Sequence, residues 1–76
     1  MYVEVLYHKP ELSGYGGARY TFHTGLPLVV GQKVLVPSND GELKKALVMA
    51  VGIDESKIKG QPWANHIKEI KEIDKG

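Results

Sequence analysis

Residues 21–52, TFHTGLPLVVGQKVLVPSNDGELKKALVMAVG, constrain the fold of this 76-residue chain more than any other stretch. Residues 33–37, KVLVP, predict a strand in which Val34 and Val36 face inward. Gly31 can supply the positive φ of a turn before this strand, and the SNDG sequence at 38–41 is a strong hairpin signal after it. The apolar run that follows, at 44–51, predicts the second strand of the hairpin.

Two segments of the chain are open to a second interpretation. Residues 42–47 are good helix formers, but the turn before 44–51 and Gly52 after it favour a strand there. In the tail at 66–73, HIKEIKEI, the three isoleucines would share one face of a helix, whereas a strand would set Ile70 opposite the other two. We expect a last strand, because five strands close a small barrel more readily than four.

Two further strands are predicted before the hairpin. Residues 2–8 alternate apolar and polar side chains, and Pro10 ends the strand because proline has no amide hydrogen to donate. Residues 19–24 alternate again and place Phe22 on the inward face. Between these strands, the sequence ELSGYGGA at 11–18 contains three glycines and predicts a loop rather than a strand interior.

These elements predict one mostly all-β domain over residues 1–76. We expect a small curled, mostly antiparallel sheet or barrel of about five strands, SH3-like or OB-like, with an irregular or helical connection near 53–65. A chain of 8.4 kDa has room for one small core, and it contains no cysteine with which to reinforce that core. The expected core residues are Phe22, Val34, Val36 and Val48.

The charge and the first residues limit the class of protein. Ten basic and nine acidic residues give a formal net charge of +1, so any nucleic-acid binding has to come from a local basic patch. The N-terminal MYVEVLYHKP has no basic start, and no apolar run approaches a membrane span, so we expect neither a signal peptide nor a membrane partner. Together with the absence of cysteine, these features predict a cytoplasmic protein.

Three elements within residues 19–52 form a distinctive pattern: the aromatic strand YTF at 20–22, the turn and strand GQKVLVP at 31–37, and the apolar strand that ends near Gly52. This pattern resembles the N-terminal DNA-binding domain of the primosomal helicase PriA. The tail HIKEIKEID at 66–74 also resembles the closing strand of that family. Small free-standing proteins with this pattern are similar to those carried by phages, for which the compartment would be the host cytoplasm.

The resemblance implies binding rather than enzyme activity. In that family the domain binds the 3′ end of a DNA strand through an aromatic-Asp-aromatic segment, and Thr21 stands here where the family has the Asp. A threonine hydroxyl is a weaker acceptor for a terminal hydroxyl than a carboxylate, and it does not repel an internal phosphate. The chain has no helicase motor, so the resemblance implies an accessory protein that binds DNA.

The candidate nucleic-acid contacts combine cations with a tyrosine and a threonine. Glycines in SGYGGARY at 13–20 would leave backbone amides, tyrosines and an arginine free to contact phosphates and bases, although an ordinary loose loop explains the same residues. The lysines around the hairpin could approach a phosphate backbone or keep a strand edge soluble. The candidate nucleic-acid contacts are Tyr15, Arg19, Thr21, Lys33, Lys44 and Lys45.

A protein partner is the alternative to nucleic acid. Trp63 either seals the open end of the predicted barrel or serves as the contact anchor for a partner. The second interpretation predicts a protein-interaction module, such as an inhibitor or adaptor of a host protein. Edge strands of two copies could also pair, which would make the chain a self-associating structural domain and a homo-oligomer.

No catalytic arrangement is expected from the sequence. His8, His23 and His66 lack the short spacing of a metal motif, and no cysteine supports them. The serines have no fixed base beside them, and no paired carboxylates lie in apolar surroundings. We therefore expect no enzyme activity, no catalytic residue, no metal and no cofactor.

Overall fold

One mixed sheet organises the computed structural model, which describes residues 1–38 and 40–75. Within those residues the sheet has six strands in the order β5-β2-β1-β4-β3-β6. Three short 3₁₀ turns, Pro10–Leu12, Glu55–Lys57 and Ala64–His66, connect them. The strands are β1 (Tyr2–Lys9), β2 (Gly14–Thr24), β3 (Lys33–Pro37), β4 (Leu43–Ile53), β5 (Glu69–Ile70) and β6 (Glu72–Ile73).

The structure confirms the mostly all-β fold class and the strands expected between 33 and 51. β3 has the predicted bounds, and the strand predicted at 44–51 lies within β4 and is not a helix. The tail forms two strands of two residues each, and the connection near 53–65 is irregular with 3₁₀ turns, as expected. Asn39, part of the predicted hairpin signal, lies outside the described residues.

The predicted loop at 11–18 is wrong for most of its length. The turn is confined to Pro10–Leu12 and Ser13, which has a φ of 52°, and β2 begins at Gly14 opposite Lys9 of β1. The pairing then slips, because a β-bulge interrupts the register of β1 with β2. Gly17, with a φ of 87°, has the left-handed backbone that glycine adopts most readily. The glycines therefore belong to an irregular strand and not to a loop.

The last five residues of the sheet determine how strongly it curls. Glu69–Ile70 pairs in parallel with β2, and Glu72–Ile73 pairs antiparallel with β3, with Lys71 between them. Since β1 and β4 separate β2 from β3, one short segment can reach both only if the sheet bends round to meet it. The sheet is nevertheless not closed into a barrel, and β5 makes it mixed rather than wholly antiparallel.

The core lies on the concave side of this curl. Inward positions of β1, β3 and β4 alternate with exposed or half-buried ones, as a two-residue period requires. All four residues predicted for the core are buried, so that prediction is confirmed. The cluster consists of Val3, Val5, Phe22, Leu28, Val34, Val36, Ala46, Val48 and Ile70.

Thr24 is the buried polar residue at the junction of β2 with the tail. Its hydroxyl donates to the Ile70 carbonyl at 2.8 Å and accepts from the Leu26 amide at 3.0 Å. The same hydroxyl therefore fixes both the end of β2 and the first strand of the tail. Buried polar groups are stable only when they are hydrogen-bonded, and Thr24 meets this condition with two partners.

Replacing Ile70 tests the contribution of the tail to stability. Ile70→Ala removes a fully buried side chain from the core, and we expect the free energy of unfolding to fall by about 2–5 kcal/mol. Ile73→Ala, at a partly buried position of β6, serves as the matched control and is expected to cost less. Urea denaturation followed by circular dichroism measures both, and equal losses would contradict the anchoring role of Ile70.

Candidate functional site

A groove of about 530 Å³ lies between β2, the turn that joins β3 to β4, and the segment at 63–68. β5 pairs with β2 only at His23 and Thr24, so the chain before β5 diverges from β2 and leaves the gap. We call this the aromatic groove. It is lined by Tyr7, Tyr20, Thr21, Phe22, Pro37, Ser38, Asp40, Lys44, Trp63, His66, Ile67 and Lys68.

Four aromatic side chains of the groove come from three parts of the chain. The Tyr7 ring packs edge-to-face against Tyr20 and Phe22, with ring centroids 5.0 and 6.5 Å apart. Burial, and to a smaller extent Tyr20, raises the pKa of the Tyr7 phenol above its ordinary value of 10.0, so this hydroxyl stays protonated at neutral pH. Tyr20 and Trp63 remain 50% and 42% exposed, which leaves ring surface accessible to a ligand.

The charged residues of the groove are one carboxylate and two lysines. Asp40, Lys44 and Lys68 line it, and the Lys44 ammonium is 3.8 Å from one oxygen of the Asp40 carboxylate. The other oxygen accepts hydrogen bonds from the Ser38 hydroxyl and, at 3.0 Å, from the Glu42 amide. These bonds, that of Ser38 above all, lower the pKa of Asp40. The carboxylate is therefore ionised at neutral pH.

Three of the residues predicted for contacts lie together in this groove. Thr21 and Lys44 line it as candidates for nucleic-acid contacts, and Trp63 lines the same groove. Trp63 precedes the 3₁₀ turn Ala64–His66 and keeps nearly half its surface exposed, so it does not seal the end of the sheet completely. Its position suits a contact residue.

The other four candidates lie on the convex face of the sheet. The Tyr15 ring packs against His8 with centroids 5.3 Å apart, and Arg19 forms an ion pair with Glu4 at 3.4 Å. Lys33 and Lys45 alternate with the buried positions of β3 and β4 and point outward. Three strand spacings, about 14 Å along the sheet, separate β2 from β3. The predicted basic patch is therefore divided between two faces and several strands.

Sequence reasoning missed several residues of the groove. Tyr7 continues the inward alternation of Val3 and Val5, so its position was readable from the pattern, although its role was not. Asp40 was assigned only to a turn. Lys68 could not be placed, because its approach to β2 depends on a parallel pairing with no local signal.

A second, shallower groove of about 410 Å³ adjoins the first. The two share Pro37 and Lys68, and the second is also lined by Leu43, which is exposed. Its remaining residues come from β3 and the tail. We call it the outer groove, lined by Leu35, Pro37, Leu43, Lys68, Glu69, Lys71 and Glu72.

Comparisons with known proteins give this chain no relative. No protein-family model, no curated protein and no solved structure matches it.

Across residues 1–38 and 40–75, no group of three His, Asp or Glu side chains is placed to hold a metal ion. The same part of the chain contains no helix of the length and apolarity needed to cross a membrane.

The hydrogen bond that Ser38 donates to Asp40 allows a prediction for the pKa of this carboxyl group. Because the folded-state pKa is below 3.8, the ionised carboxylate stabilises the fold above about pH 4, and this contribution is lost as the pH falls through the folded-state pKa. Ser38→Ala removes the main cause, so we expect the pKa of Asp40 to rise toward 3.8. Titration of the carboxyl carbons by NMR measures the change.

Asp54 is the internal control for this titration. It accepts a hydrogen bond from the Ser56 amide at 2.9 Å, and this bond is the main cause of its lowered pKa. Its pKa is expected to be the same in Ser38→Ala as in the parent protein. An unchanged pKa of Asp40 in that variant would show that the Ser38 hydroxyl does not hold the carboxylate.

Proposed function

We propose that this chain is a non-enzymatic accessory protein that binds single-stranded DNA, including the 3′ end of a strand, in the aromatic groove. The observation that carries the proposal is the combination of partly exposed Tyr20 and Trp63 with Lys44 and Lys68 around one cleft. Bases stack on aromatic rings whatever their sequence, and lysines contact the phosphates between them. Aromatic rings and lysines line the same groove here.

The resemblance to the PriA domain supports the same location. The segment Tyr20-Thr21-Phe22, which corresponds to the aromatic-Asp-aromatic segment of that family, lines the groove. Tyr20 is exposed there while Phe22 is buried in the core, so one aromatic can contact a ligand and the other holds the strand in place. Thr21 would lie beside a bound strand end.

The charge distribution limits how a strand would be held. Arg19, Lys33 and Lys45 lie on the other face of the sheet, so phosphate contacts in the groove would come chiefly from Lys44 and Lys68. Stacking then supplies a larger share of the affinity than in a protein that follows the backbone with many cations. This arrangement agrees with a formal net charge of only +1.

Titration with a thymidine hexanucleotide tests the proposal directly. Trp63 is the only tryptophan of the chain, so binding in the groove is expected to change its fluorescence. With two phosphate contacts, we expect log Kobs to fall against log salt concentration with a slope of about −1.4. Absence of binding at low salt would refute the proposal, and a much steeper slope would show that the convex face also contacts the strand.

Substitution of the exposed aromatics tests where the strand lies. Tyr20→Ala and Trp63→Ala each remove a stacking ring, and we expect each to weaken binding by about 1–3 kcal/mol. Fluorescence anisotropy of a labelled hexanucleotide measures this without relying on the tryptophan. Tyr15→Ala is the matched control, because Tyr15 packs against His8 on the convex face. Loss of affinity in the control but not in Tyr20→Ala would move the site to the convex face.

The second candidate function is a protein-interaction module, as an inhibitor or adaptor of a host protein. It is favoured by the outer groove, where Leu43 is 51% exposed beside the alternating charges of the tail. Such a mixture of apolar surface and a polar rim is typical of protein interfaces. A stoichiometric partner recovered from host lysate, and lost with Leu43→Ser, would favour this function over the first.

Self-association has its own structural basis in β2. The tail pairs with β2 only at His23 and Thr24, so the edge of β2 before His23 has no strand partner among the described residues. An unpaired edge can accept a strand from a second copy. Sedimentation that shows only monomer at high concentration would exclude this homo-oligomer.

A further inference from the structure

The outer groove combines an apolar row with charges of both signs. Pro37 of β3 lies directly opposite Leu43 of β4, so their side chains are on the same face of the sheet. Leu43 is 51% exposed, and Leu35, two residues before Pro37, extends the apolar surface on that face. The charged residues of this groove all come from the tail, in the order Lys68, Glu69, Lys71 and Glu72.

The signs of these charges reverse about Ile70. Ile70 is fully buried, so its two neighbours, Glu69 and Lys71, are directed outward, and both are exposed. One residue further from Ile70 on either side, Lys68 and Glu72 again carry opposite charges. If the chain direction is reversed about Ile70, each carboxylate takes the place of an ammonium group and each ammonium group that of a carboxylate.

The apolar row lies in line with this centre of reversal. Leu35 pairs with Glu72 in an antiparallel register, and β5 also lies against β3. Two residues further along each chain from this pair, Pro37 comes level with Ile70. Leu43 is the next residue in the same direction, opposite Pro37. The three residues thus form a line across the sheet, with the tail charges distributed on either side of it.

We propose that the outer groove is the interface through which two copies of this chain form a symmetric dimer. A twofold axis along this line brings Leu43 and Pro37 onto the same residues of a second copy. The same rotation places Glu69 of each copy against Lys71 of the other. A twofold interface requires a surface that is complementary to itself, and the outer groove meets this requirement in both apolar contact and charge. The proposal does not depend on DNA binding.

The arrangement favours a second copy over the other possible occupants. Within the described part of the chain neither Glu69 nor Lys71 forms an ion pair, so both charges are available to a partner. A solvated edge would account for the charges but not for exposed Leu43 beside them. An unrelated protein needs only charges that match its own surface, and it does not require signs that reverse about a point in line with the apolar row.

Reversal of the two charges tests the interface. Sedimentation equilibrium over a range of concentrations is expected to show a dimer that dissociates more readily at high salt. Glu69→Lys and Lys71→Glu each create two contacts between like charges, so we expect each to raise the dimer dissociation constant at least about tenfold. The double variant, Glu69→Lys with Lys71→Glu, exchanges the two charges and is expected to restore the dimer.

The matched control changes the net charge at a distant position. Glu55 is exposed in the first 3₁₀ turn after β4 and lines neither groove, so Glu55→Lys is expected to dimerise as the parent protein does. Circular dichroism establishes that every variant is folded. Because the measurement contains no nucleic acid, its result is independent of the hexanucleotide titration.

Three results would overturn the proposal. The first is a parent protein that stays monomeric at every concentration, including one that instead captures a host protein through Leu43. The second is a dimer that neither single reversal weakens, which would place the contact elsewhere, for example at the edge of β2. The third is a double variant that remains as weak as the single ones, because the two charges would then not face each other across the axis.

Discussion

The hydrogen bond from the Thr24 hydroxyl to the Ile70 carbonyl joins two parts of the chain that are 46 residues apart. It fixes the tail against β2, and the next two strand residues of the tail, Glu72–Ile73, then pair with β3. Ile70 is fully buried at this junction, so apolar burial and hydrogen bonding favour the same arrangement. The curl of the sheet follows from this double pairing, because a flat sheet would hold β2 and β3 too far apart for one short segment to reach both.

The same tail also creates the groove. A parallel partner that begins only at His23 has to approach β2 from outside the sheet, and the approach from Trp63 to Lys68 forms one wall of the cleft. Ser38 and Asp40 also line the cleft, and the Asp40 carboxylate accepts hydrogen bonds from the Ser38 hydroxyl and the Glu42 amide. The cleft thus arises where regular pairing stops, a common place for function on a small β scaffold.

Local periodicity predicted what depends on near neighbours in the chain. The alternation of Val34 and Val36 gave the bounds of β3 and the face that it buries, because one partner strand follows after a short turn. The glycines from Gly14 to Gly17 were misread as a loop, since a bulged strand is recognised only by its pairing with β1. The sequence also did not reveal that Arg19 and Lys44 lie on different strands and different faces of the sheet. Strand order depends on contacts between residues far apart in the chain, so local patterns do not predict it.

Near-neutral charge and DNA binding are compatible once the two faces are considered separately. On the convex face Arg19 is neutralised by Glu4, so the long-range field of the domain that would attract nucleic acid is weak. In the aromatic groove, by contrast, a strand bound as proposed would be held at short range, where stacking on the exposed rings matters more than net charge. A carboxylate such as Asp40 would weaken a purely electrostatic site. Under the proposed function, the near-neutral composition would therefore suit binding of a short segment more than coating of a long strand.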